Sequence, residues 1–179
     1  MNNGASRESR LDDWFRKHRL WLGITIVALF VLESVLGSGS HTLKDVQPTG
    51  IGKGFDAGTK LTHLEEDLLL LSRDFTIEMK GETTPIRMLI WDFAAEDGDV
   101  VTIKVNDDVV ADNIMITNKP VPIEVRSPSV VEVVGVQDGG GGITYGVKFQ
   151  GSLDNSAYFN IANVGSSNTY TLKIHKSKL

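Results

Sequence analysis

Asp92, Glu96, Asp97 and Asp99 crowd one turn of the chain, and Asp107, Asp108 and Asp112 follow on the next hairpin. Carboxylates on neighbouring loops are the donors that a hard cation takes. Calcium wants about six to eight oxygens in an irregular shell, which loops at one end of a β domain can supply. The residues this reading assigns to calcium are Asp92, Glu96, Asp97, Asp99, Asp107 and Asp108. Their spacing is not that of an EF-hand loop. The alternative is turn chemistry, since Asp and Asn favour turns by bonding nearby backbone N–H groups.

A second run stands out for its lack of side chains: Asp138 is followed by Gly139, Gly140, Gly141 and Gly142. Ordering four glycines is entropically costly, and is tolerated where backbone must approach a ligand or partner closely. No Lys-Ser/Thr follows and a strand comes next, so the run is not a phosphate cradle. The expected contact surface is Gly139, Gly140, Gly141 and Gly142 together with Ser166, Ser167 and Asn168 from a second Asn/Gly/Ser stretch. Tyr145, Tyr158, Phe159 and Tyr170 nearby raise the thought of an aromatic surface for sugars; a place in the core explains them more simply, as it does Trp91. The competing view of the glycine run is a mobile hairpin loop.

Other chemistries find little support. His18, His41, His63 and His175 are widely separated and show no ligand period for zinc. There is no Gly-x-Ser-x-Gly elbow. The chain has no cysteine, which excludes disulfides, thiolate metal sites and a Cys nucleophile. Paired carboxylates for glycoside hydrolysis remain a third class, because their separation is a three-dimensional matter. The expectation is a protein that is not an enzyme.

The elements that must position these residues are short and β-like. Alternation is plain at 75–80, where Phe75, Ile77 and Met79 oppose Thr76, Glu78 and Lys80, and again at 100–105. Further strands are expected at 86–93, 109–111, 114–117, 121–126, 130–136, 143–149, 157–161 and 169–174, separated by Gly, Pro, Asn and Asp. Asn106 and Asp107 suit a tight hairpin. No crossover helices separate the strands. The pattern predicts a mainly β domain over 62–179, an antiparallel sandwich of about nine strands, jelly-roll or immunoglobulin-like. Thr62 and Glu65 have capping-box spacing, which predicts a short helix at its entry, with a buried strand through the following leucines as the competitor.

Glu96-Asp97-Gly98-Asp99-Val100-Val101-Thr102-Ile103-Lys104-Val105-Asn106 resembles a stretch common in bacterial immunoglobulin-like and cadherin-like surface modules. The resemblance covers eleven residues. It implies an exported, adhesive or structural sandwich, sometimes calcium-dependent, and carries over no ligand residues.

Ahead of the β region lies the one stretch apolar enough for a bilayer, 20–37. Eighteen helical residues span roughly 27 Å, near the thickness of a hydrocarbon core. Trp21, Leu22, Ile24, Ile26, Val27, Leu29, Phe30, Val31 and Leu32 are the residues expected to face lipid. The head at 1–19 carries Arg7, Arg10, Arg16, Lys17 and Arg19 against Glu8, Asp12 and Asp13, and no Lys or Arg follows at 38–43. Positive charge stays inside, so the expected topology puts the N-terminus in the cytoplasm and the β domain outside. The segment reads as a single-pass signal anchor; cleavage as a signal peptide is the alternative, leaving a secreted product. Gly39, Gly50, Gly52, Gly54 and Gly58 make 38–61 read as a flexible linker.

Net charge is −5 over the whole chain, and beyond residue 37 there are 13 basic against 19 acidic residues. That balance argues against a nucleic-acid partner. The sequence therefore reads as a membrane-tethered, exported β-sandwich that binds or assembles, with a protein or glycan partner and an oligomer in view. A secreted calcium-dependent module that binds carbohydrate or surfaces, and a structural component of a phage particle or secretion apparatus, are the alternatives.

Overall fold

A computed structural model of the chain describes residues 45–46, 48–61, 71–81 and 85–176. The expected membrane segment, its cytoplasmic head and the capped helix after Thr62 lie outside the described residues. Among those described, no helix is long and apolar enough to cross a membrane.

Among the described residues ten strands follow one another: β1 (Ile51–Lys53), β2 (Phe75–Met79), β3 (Ile86–Trp91), β4 (Val100–Val105), β5 (Asp108–Met115), β6 (Val121–Val125), β7 (Ser129–Gln137), β8 (Ile143–Phe149), β9 (Ser156–Ala162) and β10 (Ser167–Ile174). They form two five-stranded sheets, ordered β1-β9-β8-β3-β6 and β2-β10-β7-β4-β5. Among the described strands, only β4–β5 and β8–β9 are hairpins between sequence neighbours in one sheet; every other step along the chain passes from one sheet to the other. The mainly β class and sandwich-like architecture agree with the sequence pattern.

Period-two alternation explains the packing. In β2, Phe75, Ile77 and Met79 are buried while Thr76 and Glu78 are exposed. These side chains, with Val101 and Ile103 of β4, Val131 and Val133 of β7, and Tyr170 and Leu172 of β10, meet Met88, Ile90, Val125, Tyr145, Val147 and Phe149 from the other sheet in one cluster. Two stacked sheets burying their inner faces this way is the stable solution for amphipathic strands. The β4–β5 hairpin closes through Asn106 and Asp107, both left-handed at φ 50° and 70°, the two-residue turn whose twist suits flanking strands.

Three differences from the sequence reading have physical causes. The sheets are not wholly antiparallel, because β10 pairs β2 in parallel register, Tyr170 opposite Phe75 and Ile174 opposite Met79. The strands expected at 109–111 and 114–117 are one element, β5, whose irregular pairing with β4 is accommodated by register shifts and by Asn113 at φ 49°. Finally, residues 48–61 are not a tether. β1 pairs with β9, and Val46, Phe55 and Leu61 pack with Trp91, Phe93, Ala157 and Phe159 in a second apolar cluster. That stretch has few bulky residues, but its Phe55 and Leu61 are buried, as is Val46 just before it. Two of its glycines serve close approach: a Cβ would stand 2.6 Å from the Phe159 carbonyl oxygen on Gly50 and 2.6 Å from the Phe159 ring on Gly52.

Candidate metal centre

The loops that carry the acids and the glycines meet at one end of the two sheets. Register fixes this. Trp91, the last residue of β3, lies opposite Gly146 of β8, Val100 at the start of β4 lies opposite Gln137 at the end of β7, and Ile143 lies opposite Ala162. The β3–β4, β7–β8 and β9–β10 loops therefore share an end.

Asp92 follows β3 directly and Asp99 precedes β4 directly, so rigid strands hold both. One carboxylate oxygen each from Asp92, Asp97 and Asp99 lie within 4.8 Å of one another. Asp92 and Asp99 are buried and Asp97 is exposed. Asp92 Oδ1 accepts from the Ala94 N–H at 2.8 Å and the Thr144 hydroxyl at 3.2 Å. Its Oδ2 is buried with no hydrogen-bond partner. Asp99 Oδ1 accepts from Gly139 N–H at 3.0 Å, and its Oδ2 accepts from Thr144 N–H at 3.1 Å.

Burial is the first cause of the electrostatics. It pushes the Asp92 carboxyl up to about 6, helped by the charges of Asp99 and Asp97 and opposed by the Ala94 and Thr144 hydrogen bonds. Burial likewise raises Asp99, with Asp97 and Asp138 adding to it against the Gly139 and Thr144 N–H groups. Like charges brought together in a partly dry site disfavour ionisation in this way.

The glycine run belongs to the same site. A Cβ on Gly139 would stand 2.1 Å from the Asp97 carbonyl oxygen, so only glycine fits there. Asp138 Oδ1 then accepts from Gly140 N–H at 2.8 Å and Gly142 N–H at 3.1 Å. Gly141 and Gly142 take φ of 91° and 96°, open to glycine at no steric cost. The sequence treats acids and glycines as separate features; the fold makes them one. Thr144 and Asn118 were not singled out by the sequence. Asn118 Nδ2 donates to the Asp92 carbonyl at 2.8 Å and its N–H bonds Glu96 Oε1 at 2.8 Å. Asx chemistry in a turn was the available signal for it.

Of the six expected calcium ligands, Asp92, Asp97 and Asp99 are grouped together. Glu96 bonds the Asn118 backbone, and Asp107 and Asp108 stand at the far end of β4, which at about 3.3 Å per residue puts them on the order of 20 Å away. Asp112 accepts from the Thr102 hydroxyl at 2.9 Å.

The expected contact residues divide as well. Gly139, Gly140, Gly141, Ser166 and Ser167 are exposed, and Gly142 is half-buried. Asn168 is not a surface residue: it is 1% exposed. Its Nδ2 donates to the Tyr145 hydroxyl and the Ile161 carbonyl, both at 2.7 Å. Tyr145, Tyr158, Phe159 and Tyr170 are buried in the core, so they form no sugar-binding face. Trp91 is buried too, its indole N–H donating to the Thr59 carbonyl at 2.9 Å. His175 pairs with Glu78 at 2.8 Å; the other three histidines lie outside the described residues.

The arrangement offers a cation a three-carboxylate, all-oxygen donor set. It gives a hydrolytic mechanism little to work with, since Asp92 and Asp99 are 0% and 1% exposed. No protein-family model, curated protein or solved structure matches the chain significantly.

Proposed function

We propose that this chain is a membrane-tethered module displayed outside the cytoplasm, and that it acts by binding or assembly rather than by catalysis. The apolar stretch 20–37 with its positive head supports the tether. In the same reading the β domain is a variant of the immunoglobulin-like or jelly-roll sandwich, the parallel β2–β10 pair being its departure.

The observation that carries the binding role is β5. It is an edge strand of eight residues, and Val109, Val110 and Met115 on it are 54%, 46% and 59% exposed. Open strand edges invite another strand unless they are blunted. Beside β5 runs a groove of about 230 Å³ where Val105, Val110 and Val125 meet Asp108, Glu124 and Arg126. Apolar centre and both signs of charge on one patch suit a second copy of the chain across a two-fold axis.

Cross-linking tests this without interference, because the chain has no cysteine of its own. Full-length Val110→Cys in its membrane is expected to form a disulfide dimer on mild oxidation, while Lys80→Cys, exposed and away from β5, is not. A monomer from both variants, or equal dimer from both, overturns assembly through β5.

A further inference from the structure

We propose that Asp92, Asp97 and Asp99 form a calcium site that ties the β3–β4 turn to the tetraglycine loop. Acidic clusters are common on surfaces without any ion, so the grouping within 4.8 Å does not decide the matter. Asp92 does. Its side chain is 0% exposed, Oδ1 already holds the Ala94 N–H and the Thr144 hydroxyl, and Oδ2 is buried with nothing to bond. An unsatisfied buried carboxylate oxygen is costly and rare. A cation relieves the free oxygen and the repulsion among three acids together.

The chemistry of the donors selects the ion. All are oxygens and no histidine or cysteine takes part, which disfavours zinc. The donors sit on an irregular loop around Gly98, at φ 103°, and two of them are fixed by strand ends while Asp97 is free to adjust. Calcium accepts such uneven, mixed mono- and bidentate shells completed by water, whereas magnesium demands a near-ideal octahedron. Gly139 explains the coupling: it touches the Asp97 backbone and donates to Asp99, so an ion on these acids also orders the loop that begins there.

The test uses the full-length chain stripped with chelator. Terbium, a calcium surrogate excited through a nearby aromatic ring, has Trp91 next in sequence to Asp92 as its antenna. The expected result is sensitised terbium luminescence displaced by calcium, and a melting temperature that rises by about 8–14 °C when calcium reaches roughly a hundredfold excess over its dissociation constant. Asp97→Asn changes only an exposed side chain and keeps the fold; it is expected to need at least about tenfold more calcium for the same displacement. Absence of both luminescence and thermal shift in the wild-type chain overturns the site. Equal calcium affinity in Asp97→Asn overturns it as well, and an identical response to magnesium at the same concentration overturns the assignment to calcium.

Discussion

Replacing a buried acid with its amide is expected to make this protein more stable, provided no metal is present. The acid is Asp92, whose carboxyl is raised from 3.8 to about 6. A raised native-state value means that the folded chain holds the proton more tightly than the unfolded one. The stabilisation is fully present below about pH 4 and is lost as pH climbs through about 6. At about 1.4 kcal/mol per pH unit the full loss is ~3 kcal/mol; water around exposed Asp97 screens part of it, leaving ~1–3 kcal/mol at neutral pH. In Asp92→Asn, the amide oxygen still accepts from Ala94 and Thr144, and an NH2 donor replaces the unpartnered oxygen beside Asp97 and Asp99. The variant therefore escapes the loss. For a domain of this size ~1 kcal/mol is worth roughly 3–5 °C, so the variant should melt about 3–15 °C higher than wild type near pH 7, with the gap closing near pH 4. The assay is thermal melting followed by circular dichroism in chelator across that range. Comparing the two proteins cancels Asp154, which its Tyr158 and Ser156 bonds lower despite burial, while loss of the Asp92 charge also relieves the repulsion on Asp99 and so adds in the same direction. With calcium added the order reverses, since only the wild type keeps all three carboxylates. A variant that is less stable than wild type by a constant amount at every pH refutes the reasoning.

Three further substitutions probe the packing. Gly139→Ala forces a Cβ to within 2.1 Å of the Asp97 carbonyl oxygen, which should cost ~1–3 kcal/mol in denaturant melts and weaken terbium binding with it. Asn168→Ala removes the donors to Tyr145 and Ile161 and should cost ~2–4 kcal/mol, whereas exposed Ser167→Ala stays within about 0.5 kcal/mol; similar losses for both would restore Asn168 to the surface. Phe55→Ala strips a ring that meets Phe159 edge-on at 5.5 Å and should cost ~3–5 kcal/mol, while an unchanged unfolding midpoint would mean that 48–61 is a tether after all.

How much of this was legible depended on whether the signal was local. Alternation in 75–80 and 100–105 reports burial residue by residue, so β2 and β4 were plain. The Asn106–Asp107 turn was plain as well, because left-handed backbone selects its own residue types. β1 was not, since Ile51, Gly52 and Lys53 gain strand character only by pairing with β9. The parallel β2–β10 pair joins segments some 95 residues apart, and no local pattern carries register over that distance. In the candidate site, Asp92, Asp97 and Asp99 were legible as donors, yet nothing in the spacing separated them from Asp107 and Asp108, which the length of β4 carries to the other end. Asn168 looked like loop chemistry from its neighbours Ser166 and Ser167. Its burial follows from its place in β10, with Tyr145 and Ile161 as its partners.

In the proposed function a tether at 20–37 holds this β domain outside the cytoplasm. The direct measurement is the intact mass of the protein from membrane and soluble fractions of cells that express it, with protease added from outside to the membrane fraction. The expected result is full-length chain in the membrane fraction, with the β domain removed by external protease. A soluble species beginning near Ser38, or full-length chain that stays soluble in the cytoplasm, contradicts it.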